Sequence, residues 1–220
     1  MQYTKTCGPK DLELIDRVGN KHKHSSTLER LVYAYDIEGV SRALLQELAR
    51  HRMASLSVKS TRYTLKELKD ETPFCAVDET NRRVVSYETY RKRASKYLVF
   101  TGVEDVDISS IIALENLRQL IRDGIANDKA KFALPDSYKT QLTYTINARS
   151  LQNFLTLRTG PSAMWEIQDL ANAMFEALPE DHKYLFDMCI YSEDTEAGKI
   201  QAQIDALQLK LSAIQNKVTK

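Results

Sequence analysis

Two short segments of alternating apolar residues, far apart along the chain, constrain the fold most. Leu31, Tyr33, Tyr35 and Ile37 alternate with less apolar neighbours, and so do Leu142, Tyr144 and Ile146. A period of two with aromatic and β-branched residues predicts half-buried strands. Gly39 is read as the end of the first strand. Beyond it, Val40, Ala43, Leu44 and Leu48 recur at helical spacing and predict a helix over 41–50. After the second strand, Leu151, Phe154, Leu155 and Leu157 predict a helix over 147–158. Further helices are expected over 11–18, 87–100, 108–123, 127–132 and 163–178, and residues 53–65 read as extended loop or strand. The fold class is α+β, with a central antiparallel or mixed sheet flanked by helices.

The chain has only 7 glycines and 5 prolines and no Gly/Ser-rich linker, so residues 1–190 read as one domain. Residues 195–220 differ. Ile200, Ile204, Leu207, Leu211, Ile214 and Val218 are spaced four, three, four, three, four. That is a heptad pattern, predicting a short coiled coil or an amphipathic helix packed on its own domain.

Lys plus Arg is 31 and Asp plus Glu is 30, a net charge of +1. This balance gives no general support for binding nucleic acid or a membrane surface, so any positive site must be local. The cysteines, Cys7, Cys75 and Cys189, are odd in number and far apart, which suits no disulfide framework or C-x-x-C metal pattern and points to a reducing cytoplasm. No apolar run approaches the ~18 residues of a membrane span. His22 and His24 with Glu29 lack tight ligand spacing, so no metal site is expected.

One local site stands out. Residues 50–62 carry four cations (Arg50, Arg52, Lys59 and Arg62), one imidazole and three serines, with no carboxylate between Glu47 and Glu67. Cations gathered this way repel unless an outside anion completes the set, and the hydroxyls suit phosphate oxygens. A second polar cluster follows downstream. On a helix, Arg149 and Asn153 share a face, Asn147 sits at the helix start, where a cap or an anion contact is natural, and Arg158 ends the same helix.

Arg50-His51-Arg52, then seven residues, Ser60 and Arg62, matches the signature of the flavin-dependent thymidylate synthases. Asn147-Ala148-Arg149-Ser150-Leu151 with Asn153, Arg158 and Trp165-Glu166-Ile167 resembles a second block of that family, and His24-Ser25-Ser26-Thr27-Leu28-Glu29 resembles a third. The resemblance covers roughly residues 11–190. It implies a homotetramer with shared active sites that binds FAD, dUMP, NADPH and methylenetetrahydrofolate and forms dTMP. It implies FAD contacts at Ser26, Arg50, His51, Arg52, Asn147, Arg149 and Asn153. It implies dUMP contacts at Glu47, Ser60, Thr61, Arg62, Lys131 and Arg158, with Arg158 stabilising negative charge on the uracil ring. Ser60 reads as a nucleotide ligand rather than a nucleophile, since a serine needs an adjacent base. Four positions depart from the pattern. Glu47 replaces a glutamine and Lys131 an arginine, while Ser57 and Val58 replace a polar-acidic pair. The alternative is a non-enzymatic nucleotide- or RNA-binding oligomer assembled through the tail.

Overall fold

The computed structural model describes residues 8–22, 24–75, 87–192, 200, 203–204 and 207–208, with backbone alone at 9, 12, 62 and 63. In chain order the elements are α1 (Pro9–Asp16), a π-turn and a 3-10 turn (Ser25–Arg30), β1 (Val32–Ser41), α2 (Arg42–Leu48), β2 (Ala54–Val58), α3 (Thr61–Glu67) and α4 (Tyr87–Ala94). Then come α5 (Glu104–Arg122), α6 (Asn127–Ala130), β3 (Lys139–Asn147), α7 (Ala148–Arg158), α8 (Trp165–Glu176) and two further 3-10 turns. The class is α+β. The chain divides into two compact units, Ala34–Thr145 and the remainder, and the division falls within β1 and β3.

In the 34–145 unit the strand order is β1-β3-β2. The Gln141 side chain donates to Glu38 and the Thr143 hydroxyl to Asp36 at 2.9 Å. Those pairs run in opposite directions along the chain, so β1 and β3 are antiparallel. Leu142, Tyr144 and Ile146 are buried in alternation, as the period of two requires. Gly39 does not end β1. It adopts φ 72° and the strand continues to Ser41, because a residue without Cβ lets the backbone kink and resume pairing.

Helix α5 supplies the main apolar stripe of this unit. Ile111, Leu114, Leu117 and Ile121 are buried with Leu65, Leu68, Phe74 and Leu98 in one cluster; each such side chain contributes about 1.5–3 kcal/mol by leaving water. The helix starts earlier than apolar spacing suggests. Asp107 accepts from the Thr101 and Gly102 amides at 2.8 and 3.2 Å and from the Thr101 hydroxyl at 2.9 Å, tying down the first turn. Two further expectations are corrected. Residues 53–65 are not extended throughout, since α3 begins at Thr61 and buries Leu65. The helix expected over 87–100 stops at Ala94, and Leu98 instead pairs with Tyr138 in an isolated antiparallel bridge.

In the other unit, α7 packs on α8 and on the Ser25–Arg30 turn. Leu151, Phe154, Leu155, Ile167, Leu170 and Met174 are buried. Gly19 lies so close to Leu28 that a Cβ there would come within 2.9 Å of its Cδ2, so only glycine fits without a shift. In the tail, Ile200, Ile204 and Leu207 are helical and exposed, while Leu211, Ile214 and Val218 lie outside the described residues.

Candidate functional site

Both polar clusters stand where a strand hands over to a helix through a side-chain cap. Ser41 ends β1, and its hydroxyl accepts from the Leu44 amide at 3.0 Å to start α2. Asn147 ends β3, and its Oδ1 accepts from the Ser150 amide at 2.9 Å to start α7. Each cap satisfies an orphan helix donor and is worth about 1 kcal/mol. The Asn147 cap leaves the amide NH2 group as a donor for something else.

Helix α2 unwinds into the basic segment. The Arg50 and His51 amides still reach back to the Glu47 and Leu48 carbonyls at 3.3 and 3.1 Å. This geometry keeps Arg50 over Glu47, to whose carboxylate it donates at 3.1 and 3.3 Å. The counter-charge that residues 50–62 lack therefore comes from just outside them. His51 is half-buried, and Arg52, Ser57, Lys59 and Ser60 are exposed. The side chain of Arg62 lies outside the described residues, and Thr61 is half-buried at the start of α3. Lys131 is exposed in the 3-10 turn Lys131–Ala133.

In the other unit, Arg149 and Asn153 are exposed on α7. Arg149 donates to Glu29 at 2.6 Å, linking α7 to the turn that carries exposed Ser26. Sequence reasoning missed this partner, which lies far from Arg149 in the chain. It also missed the anchoring of the α7 end beside Arg158. The buried Thr159 hydroxyl donates to the Leu155 carbonyl at 2.8 Å and accepts from the Tyr191 amide at 2.9 Å. Gln168 donates to the Thr159 carbonyl at 3.0 Å. About two turns earlier, Gln152 donates to the Leu185 carbonyl at 2.7 Å and to Asn20 at 3.0 Å. The Gln152 contacts thus hold the middle of α7 and the Thr159 contacts its end, and half-buried Arg158 projects beside that anchored end. The predicted set divides between the units: Arg50, His51, Arg52, Glu47, Ser60, Thr61, Arg62 and Lys131 fall on one, and Ser26, Asn147, Arg149, Asn153 and Arg158 on the other.

Guanidinium groups, an imidazole, amide donors and hydroxyls on a small α+β scaffold are of the chemical class that suits acceptor-rich anions. Comparison with known proteins narrows that class. The family model described as thymidylate synthase complementing protein matches residues 2–182. A flavin-dependent thymidylate synthase of Wolinella succinogenes is 60% identical over 186 residues, covering 84% of each chain. One from Campylobacter jejuni strain RM1221 is 58% identical over 186 residues, again covering 84% of each chain. A crystal structure of thymidylate synthase X from Helicobacter pylori, with FAD and dUMP, is similar at a TM-score of 0.76 and 54% identity, covering 86% of this chain and 87% of that one. The chain belongs to the flavin-dependent thymidylate synthase family.

The donors present fit FAD. Arg52 makes no ion pair among the described residues, Arg149 is held only by an exposed one, and Asn147 has a spare amide. Positive and N–H groups of this kind suit pyrophosphate oxygens and the carbonyl edge of a flavin.

Proposed function

We infer that this chain catalyses the reductive methylation of dUMP to dTMP, with methylenetetrahydrofolate as one-carbon donor and NADPH as reductant. The observation that carries the reading is its likeness, at 54% identity over 86% of the chain, to a protein crystallised with FAD and dUMP. FAD, when bound, supplies the hydride.

The chain's own residues bind, orient and hold charge. Arg50, His51 and Arg52 place positive charge and N–H donors beside the flavin, favouring its reduction. Ser26, Asn147, Arg149 and Asn153 bind the rest of that cofactor. Ser60, Thr61, Arg62, Lys131 and Glu47 hold dUMP, with Arg62 suited to a two-pronged grip on the phosphate. Arg158 stabilises negative charge that develops on the uracil ring when carbon 5 attacks. The anchored end of α7 fixes Arg158 in advance of the reaction. Residues 1–190 form the catalytic part, working as a homotetramer with shared sites in the cytoplasm, and the tail over 195–220 serves assembly. Support for that last role is the exposure of Ile200, Ile204 and Leu207 on helical turns.

The purified protein should be yellow or take up added FAD, oxidise NADPH and form dTMP. An intact, folded protein that binds no flavin overturns the reading. Arg158→Ala should abolish dTMP formation while keeping most FAD binding; loss of folding instead would make Arg158 structural. Arg62→Ala should raise the KM for dUMP far more than it lowers kcat.

A further inference from the structure

A cavity of about 230 Å³ opens within the 34–145 unit where α2, α3 and β3 meet. Four cations line it, Arg42, Lys59, Lys96 and Lys139, against two carboxylates, Glu38 and Glu67. Several of these charges are already engaged. Lys96 donates to Glu71 at 2.7 Å, Lys139 donates to the Ser95 carbonyl at 2.6 Å, and Glu38 accepts from Gln141. Arg42 and Lys59 make no side-chain hydrogen bond or ion pair among the described residues. The cavity wall therefore keeps two unmatched cations against one carboxylate, Glu67, that likewise makes no side-chain hydrogen bond or ion pair among the described residues.

Hydroxyl groups accompany them. Thr61, Thr64 and Thr140 line the same space, and so does Tyr138. The Tyr138 hydroxyl is buried and lacks a hydrogen bond of normal geometry, although Thr64 is near enough to influence it. A buried hydroxyl without a well-formed hydrogen bond is destabilising. A ligand or a bridging water at the cavity floor would remove that cost.

Of Glu47, Ser60, Thr61 and Lys131, the described residues assigned above to dUMP in this unit, only Thr61 lines the cavity. The cavity is nonetheless tied to the flavin segment. Arg42 opens α2, and Arg50 stands eight positions later, just past its end. At 1.5 Å per residue the helix between them rises roughly 10 Å.

We propose that this cavity is a second phosphomonoester site, gripped by Arg42 and Lys59. A phosphomonoester carries about −1.5 to −2 charges at neutral pH and accepts several hydrogen bonds, which matches two free cations and a ring of hydroxyls. Two sources carry that group. One is the 2′-phosphate of NADPH, reaching the flavin along α2; this source rests on the function proposed above. The other is a free phosphorylated metabolite, and the anion site itself needs no assumption about the reaction.

The test is calorimetric titration of inorganic phosphate into the FAD-loaded protein with dUMP saturating, in wild type, Arg42→Gln and Lys59→Gln. Wild type should bind one phosphate per chain, and each variant should bind it at least about tenfold more weakly. Arg42→Lys should recover part of the loss, keeping charge without the fork. Steady-state oxidation of NADPH and NADH then separates the sources. A raised KM for NADPH with an unchanged KM for NADH in the variants assigns the site to the 2′-phosphate. Unchanged values for both, with phosphate binding lost, assign it to a free ligand. The proposal is overturned if wild type binds no phosphate beside dUMP, or if both glutamine variants bind it as wild type does. Failure of the proposed reaction would read out separately, as absence of dTMP in wild type. Lys59 is exposed, so its variant keeps the test open if Arg42→Gln fails to fold.

Discussion

Two glutamate–arginine pairs in the 34–145 unit share one spacing and have opposite surroundings. Glu115 and Arg118, three apart on α5, meet at 2.6 Å with side chains 7% and 1% exposed. Glu47 and Arg50, three apart at the end of α2, meet at 3.1 Å with side chains 29% and 71% exposed. The buried pair is closed on every side. Glu115 also accepts from the Phe74 amide at 2.8 Å and from Gln119 at 2.9 Å, and Arg118 donates to the Glu71 carbonyl at 3.2 Å. The other pair is open to water, chiefly through Arg50. Identical chemistry thus makes a closed lock in one place and a solvated pair in the other, and desolvation makes the difference.

The largest effect should come from breaking the lock. Arg118→Met leaves Glu115 buried without its cation, which costs about 3–5 kcal/mol. At roughly 2–4 °C per kcal/mol for a chain of this size, the melting midpoint should fall by many degrees. Calorimetry or circular dichroism would show it. A midpoint within about a degree of wild type would mean that burial does not distinguish the two pairs.

A smaller effect isolates the carboxylate. Burial pushes the Glu115 carboxyl up, but hydrogen bonds from Arg118, the Phe74 amide and Gln119 outweigh it, and the folded pKa lies below the ordinary 4.5. A depressed pKa adds stability that is fully present above the unfolded value and is lost as pH falls through the folded one. Glu115→Gln should therefore cost about 3 kcal/mol at neutral pH, the low end for a broken buried pair, because the amide oxygen still accepts from Arg118. Its stability should also change less with pH below 4.5 than that of wild type. Urea midpoints across an acid series would measure both. Parallel pH profiles for the two proteins would show that Glu115 does not carry the charge.

The sequence displays these two pairs very unequally. Glu115 and Arg118 look like a common exposed i, i+3 pair. Only their place among Ile111, Leu114 and Ile121 hints that the pair sits inside the apolar stripe. Residues 50–62 taken alone show only cations, and helical periodicity places Glu47 against Arg50 from just outside them. The strands around Tyr35 and Tyr144 and the cap at Asn147 were legible because period and cap chemistry are local. Gly39 was misread as a stop because a positive φ can kink a strand as well as end it. The α3 helix was missed because its hydroxyl-rich first turn carries little apolar periodicity. The cavity of Arg42, Lys59, Lys96 and Lys139 was invisible in any sequence window, since its cations come from four separate segments that only the sheet and helices assemble.

The smallest expected effect sharpens the other half of the comparison. Glu47→Gln removes an exposed ion pair, so stability should change by less than about 1 kcal/mol. The substitution also loosens the hold on the Arg50 guanidinium, which faces FAD in the proposed function, since an amide oxygen is a weaker acceptor than a carboxylate. Binding of FAD should tighten by about threefold, the equivalent of roughly 0.6 kcal/mol released from the pair. Salt gives the control. Exposed charges are screened over about 3 Å at 1 M ionic strength, against about 10 Å at 0.1 M. The gain should therefore shrink toward nothing at high salt, whereas the Arg118→Met deficit should persist. A Glu47→Gln protein that melts well below wild type, or whose tighter FAD binding survives at 1 M salt, would show that this pair is also a lock.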